Sequence, residues 1–189
     1  MSSAFPDVRY GAAQTRIISV ALELFALHGV SATSLQMIAD AIGVTKAAVY
    51  HQFKAKDEIV LAVAEVELAS LEAAVNAAEL EGCSPQAREQ LLAKVIDLAV
   101  ERRRMVSVLQ SDPVMVRFLA EHEPFLQLMD RLFAILVGED GGAGARVQAA
   151  MLSAAIGGAV VHPLVVDLDD DLLRAHLLQL ARGLFRLPD

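Results

Sequence analysis

Apolar residues recur along this chain at intervals of three and four, the repeat of a helix that buries one face. Ile18, Ala21, Leu22 and Phe25 predict a first helix, and Gly29 stops it. Leu35, Ile38, Ala39 and Ile42 predict a second, with Thr33 or Ser34 at its N-cap and Gly43 at its end. Thr45 caps a third, whose Val49 and Phe53 lie four apart on one side. Only Gly43 and Val44 separate the second helix from that cap, so the second and third must cross steeply, which is the geometry of a helix-turn-helix.

Beyond Phe53 the elements lengthen. One long helix is predicted from Lys56 to about Leu80, broken by the GCSP of residues 82–85. Ser84 and Pro85 then read as N-cap and first residue of a helix running to about Arg104. Residues 112–122 and 124–137 predict two more, and Gly138 to Gly144 the clearest loop. The last two helices are expected at about 144–162 and 169–187. The predicted fold is all-α, about nine helices: a three-helix helix-turn-helix domain at residues 1–55, then a helical domain at 56–189.

Charge sharpens that division. The net charge of −8 is unevenly spread: residues 1–56 carry five cations (Arg9, Arg16, Lys46, Lys54, Lys56) against three anions (Asp7, Glu23, Asp40), whereas residues 57–189 carry 11 against 21. A relatively basic head on an acidic body suits a polyanion held by the head alone. The N-terminus lacks the pattern of a secretory signal, and the apolar stretch 147–166 is interrupted by Gln148, His162 and Pro163, so a cytoplasmic protein without membrane contact is expected. A single cysteine, Cys83, excludes a disulfide or a cysteine-based zinc site within one chain.

Rotating the third helix by ~100° per residue puts Ala47, His51 and Lys54 opposite the core side, with Lys46 and Tyr50 on the flank. Ala47 lets the backbone approach base edges, Lys46, His51 and Lys54 offer donors, and Tyr50 offers a hydroxyl on a stiff ring. Lys56 adds a cation at a helix N-terminus, a natural phosphate site. Each of these types suits double-stranded DNA; the alternative is a solvated charged face of a small bundle, against which stands the ordered sequence of glycine-ended helix, two-residue turn and capped short helix.

These residues resemble the TetR family of bacterial transcriptional regulators. RIISVALELFALHG is similar to that family's first helix, ATSLQMIADAIGVTKAAVYHQF to its helix-turn-helix and KAKDEI to the start of its fourth helix, a match from Arg16 to Ile59. The resemblance implies phosphate contacts at Thr33, Thr45, Tyr50 and Lys56, and base contacts at Lys46, Ala47 and His51. Ser34, Gln52 and Lys54 complete the expected DNA-facing set. Two positions depart from the pattern: Gln52 replaces the more usual His or Tyr, and Ala55 forgoes a side-chain cap before Lys56, an omission that Asp57 and Glu58 partly offset.

The resemblance further implies a homodimer, joined through the last two helices, around a small-molecule pocket in each body. Met105, Met115, Phe118, Phe125, Met129 and Phe133 are large and soft, and are either plain core or the lining of a cavity for a small apolar or amphipathic effector, with Arg117 or His122 at its polar end. Ala150, Ala154, Gly157 and Gly158 form a small-residue side on the penultimate helix, and Leu173, Leu177, Leu180 and Leu184 an apolar stripe on the last, together the expected dimer interface.

No catalytic pair, metal-ligand spacing or phosphate-binding glycine loop is present, and the acids of DLDDD at 167–171 read as helix-start residues. Neither an enzyme nor a cofactor is expected. The function expected is a dimeric repressor on an inverted-repeat operator, released by an effector. An activator or ligand-independent regulator on the same scaffold stays open, with a helical enzyme or a protein-protein adaptor as more distant rivals.

Overall fold

The computed structural model describes residues 10–138 and 142–185, with Leu184 and Phe185 described by backbone alone. Within these residues are ten α-helices, one short 3-10 turn and no strand.

The head comprises α1 (Ala12–His28), α2 (Leu35–Ile42) and α3 (Lys46–Gln52). Ser34 is the residue that caps α2, its Oγ accepting from the Met37 N–H at 3.2 Å. Gly43 ends the helix in the left-handed region at φ +75°, where a side chain is strained, and this lets the Val44 N–H turn back to the Ala39 carbonyl. Val49 and Phe53 are buried at 0% and 4% exposure among Ile18, Ala21, Phe25, Ile38 and Ala39, and so fix the rotation of α3. Burying such a side chain stabilises by roughly 1.5–3 kcal/mol each.

The body comprises α4 (Lys56–Leu80), α5 (Pro85–Glu101), α6 (Arg103–Ser111), α7 (Pro113–Glu121), α8 (Glu123–Val137), α9 (Ala143–Val160) and α10 (Asp170–Phe185). The α4 helix has no side-chain cap at Ala55; instead the Glu58 carboxylate accepts from the Lys54 N–H at 2.7 Å. One apolar cluster runs unbroken from α1 to α10. Among the described residues no helix is long and apolar enough to cross a membrane, and no group of acids, histidines or cysteine is arranged to hold a metal ion.

The structure corrects the expected helix count. The helix from Pro85, expected to run to about Arg104, ends at Glu101; the chain breaks at Arg102, at φ −115° and ψ 34°, and restarts at once as α6, the additional helix. Arg102 is pulled sideways there: its guanidinium donates to the Glu67 carbonyl at 2.6 Å, to the Glu67 carboxylate at 3.2 Å and to Ser70 Oγ at 3.0 Å. The ERRR run therefore bends the body, with Arg102 tied to α4 and Arg103 paired to Asp170. Asp169, within DLDDD, caps α10 by accepting from the Asp171 and Leu172 N–H groups.

Candidate nucleic-acid interface and body cavity

On α3 the outward face is open. Thr45, Lys46, Ala47, Tyr50, His51 and Lys54 are all exposed, Tyr50 at 52%. Thr45 Oγ1 accepts from the Ala48 N–H at 3.2 Å, which closes the first turn. The Lys54 ammonium lies 5.4 Å from the Tyr50 ring centroid, a cation–π contact, and donates to the His51 carbonyl at 3.4 Å. Half-buried Gln52 reaches back to His51 Nδ1 at 3.4 Å. Neither the Lys46 ammonium nor the Tyr50 hydroxyl has a protein hydrogen-bond partner among the described residues.

Two of the expected contacts have structural partners instead. Thr33 is 1% exposed, and its hydroxyl donates to the Gly29 and Leu24 carbonyls at 2.8 and 3.2 Å. The Lys56 ammonium donates to the carbonyls of Val30, Ser31 and Thr33 at 2.9, 3.3 and 3.2 Å. Both bind the loop that brings α2 into place, and burial takes the Thr33 hydroxyl away from any ligand. The same loop is held from the body. Val30 donates its N–H to Asp112 Oδ2 at 2.7 Å, while Asp112 Oδ1 accepts from the Val114 and Met115 N–H groups and caps α7.

The body holds a cavity of about 280 Å³, open to solvent on one side, between α4, α5, α6, α7, α8 and α9. Its walls are mainly aliphatic and aromatic, and its polar groups are Glu67, Arg102, Gln110 and Ser153. Met105, Phe125, Met129 and Phe133 line it. Met115 is wholly buried in the core, and Phe118 stacks on His122 with ring centroids 5.2 Å apart at the α7–α8 joint. Arg117 faces solvent and pairs with Glu121 one turn away. The polar lining thus comes from Arg102 and Glu67 at one end and Gln110 and Ser153 at the other, not from Arg117 or His122. Hydrophobic spacing could not find Arg102, because its role depends on the helix break.

The profile of the family described as bacterial regulatory proteins, tetR family, matches residues 17–63, which are α1 to the first turns of α4. Over these residues the chain is TetR-like. The HTH-type transcriptional regulator AcrR of Shigella flexneri is 37% identical over 95 residues, 48% of this chain and 44% of that one, so the match spans less than half of the relative's length. Solved structures extend the likeness in fold to nearly the whole chain. A transcriptional regulator from Aquifex aeolicus VF5 superposes with a TM-score of 0.70 at 19% identity, covering 92% of this chain and 100% of that one. NalD of Pseudomonas aeruginosa, the secondary repressor of the MexAB-OprM multidrug efflux pump, gives 0.65 at 25% identity over 92% and 94%. The proteins that this chain resembles are regulators of transcription.

The remaining expected residues concern α9 and α10. Ala150, Ala154 and Leu180 are exposed and Gly158 half-exposed, on a surface that also carries Val147, Met151 and Leu172 at 57%, 57% and 47% exposure. Leu173 and Leu177 point the other way, at 3% and 9%, into the body's own core. Gly157 is buried against α6, where Gln110 packs over it. The side chain of Leu184 lies outside the described residues.

Proposed function

We propose that this regulator is a homodimeric repressor that binds an inverted-repeat operator and is released when a small molecule fills the body cavity. The observation that carries this reading is the outward face of α3: Thr45, Lys46, Ala47, Tyr50, His51 and Lys54 stand exposed on and beside a helix whose rotation is locked by Val49 and Phe53. Phosphates would meet Thr45, Tyr50 and Lys46, and bases would meet Ala47 and His51, with Lys56 acting through the loop it holds. The repressor role of NalD supports the same sense of regulation.

The dimer is proposed to form through the outer surface of α9 and α10, where Val147, Met151, Leu172 and Leu180 leave apolar area in water. A two-fold axis there places two α3 helices in successive major grooves about 34–36 Å apart. For release, a ligand must favour one head spacing over another by its own differential contacts. Support for a route comes from α6, which lines the cavity and ends at Asp112, the residue bonded to Val30 of the head.

Selection of bound sequences from a random duplex pool at low ionic strength tests the proposal. An enriched inverted repeat with half-sites about one helical turn apart is expected. Recovery of unrelated sequences, or of single half-sites only, overturns the dimeric operator.

A further inference from the structure

We propose that the cavity selects an elongated, uncharged and largely apolar molecule with one hydrogen-bonding group, which the Gln110 carboxamide receives. This rests on the reading of the cavity as an effector site and adds the chemistry of the occupant.

The cavity runs along α6. Arg102, at its start, and Gln110, eight residues later, both line it, and eight helical residues span about 12 Å. Between them Met105, Val106 and Leu109 present an apolar floor. Charge at the Arg102 end is already balanced, because Arg102 is bonded to the Glu67 carbonyl and carboxylate and to Ser70. A ligand carboxylate entering there meets Glu67, and a ligand ammonium meets Arg102. An ion elsewhere in the cavity loses its hydration with no free counter-charge on the walls, which is unfavourable.

At the other end the polar groups, Gln110 and Ser153, are exposed at the mouth of the cavity, where a ligand competes with water for them. Gln110 and Ser153 have no protein hydrogen-bond partner among the described residues. They meet at the seam between α6 and α9, since Ser153 and Gly157 are one turn apart and the Gln110 side chain rests on Gly157. A methyl group at position 157 would lie 1.6 Å from Gln110 Nε2 and 2.7 Å from Cδ. Glycine at 157 is therefore what permits the carboxamide to sit at the cavity rim, where it offers a donor and an acceptor to a hydroxyl or carbonyl. The volume of about 280 Å³ lies at the lower edge of small-molecule sites, which suits a two-ring or medium-chain compound.

The test compares 4-hydroxybiphenyl, biphenyl, biphenyl-4-carboxylate and 4-(aminomethyl)biphenyl by calorimetry on the full chain, using wild type, Gln110→Leu and Gly157→Ala. The expected result is that 4-hydroxybiphenyl binds tightest and the two charged congeners at least about 10-fold more weakly. Gln110→Leu should weaken 4-hydroxybiphenyl by about 2- to 10-fold, to the level of biphenyl. Gly157→Ala should do the same by displacing the carboxamide, with thermal melts of both variants confirming folding. Equal or tighter binding of a charged congener, an unchanged affinity in Gln110→Leu, or no binding by any of the four overturns the inference. If binding follows the expected order and operator affinity stays unchanged, the effector reading fails and the ligand chemistry stands.

Discussion

Asp112 holds Val30 by a 2.7 Å hydrogen bond from the Val30 N–H, and with its other oxygen it caps α7. One carboxylate thus ties the loop between α1 and α2 to the α6–α7 joint of the body. The preceding Gly29 sits at φ +82°, and a methyl group there would be 3.1 Å from the same carboxylate oxygen, so the loop approaches Asp112 as closely as a side-chain-free backbone allows.

Asp112→Ala removes the cap and the tie together. A loss of about 1–2 kcal/mol in chemical denaturation is expected from the cap alone. Under the proposed release mechanism, the variant still binds operator but its affinity responds less to ligand. Ligand titrations of operator affinity on both proteins check this.

The cations of the head divide into two kinds. Lys46→Ala and Lys54→Ala should leave the melting temperature within about 1–2 °C and each reduce the slope of log K against log salt by about 1. Lys56→Ala should lower stability as well, by about 1–3 kcal/mol, because three loop carbonyls lose their donor. His51→Ala should change operator preference with little effect on either quantity. Salt-series titrations alongside thermal melts separate these outcomes.

Two leucines of α10 report on different things. Leu180, at 65% exposure, belongs to the proposed dimer surface, whereas Leu177, at 9%, belongs to the core. Leu180→Glu with Met151→Glu should give a folded monomer in sedimentation, while Leu177→Ala should cost about 2–5 kcal/mol of stability.

Acid sensitivity is predicted at the α4–α8 contact. The Arg131 guanidinium hydrogen-bonds Glu79 at 2.8 Å and holds its carboxyl below the ordinary 4.5, outweighing the opposing effect of burial. A lowered folded-state pKa means that this stabilisation is complete above the unfolded value near 4.5 and is lost as pH falls through the lower folded one. Glu79→Gln should therefore be less stable than wild type at pH 7, and the gap should narrow as pH falls below 4.5. Denaturation curves between pH 3 and 7 measure it.

How much of this was legible in the sequence follows from range. Gly43, Ser34, Thr45, Val49 and Phe53 act through contacts a few residues away or through simple periodicity, so the head could be read almost residue by residue. The division of α10 into a core side and an outer side could not, since Leu173, Leu177 and Leu180 share one stripe and only the packed body shows which of them it covers. The break at Arg102 was hidden for the same reason: its cause is Glu67 and Ser70, more than thirty residues earlier. Asp112 read as an ordinary helix start, and its bond to Val30 spans 82 residues.

The claim on which the rest depends is that α3 presents Ala47 to the bases of a duplex. A photo-crosslinker on Ala47→Cys, in a Cys83→Ser background that removes the chain's single cysteine, tests it most directly on a selected operator. The account predicts crosslinks to bases within each half-site, and none when the same group is carried at exposed Ala73 on α4. Crosslinks of equal yield from both positions, or none from position 47 on a duplex the protein still binds, would contradict it.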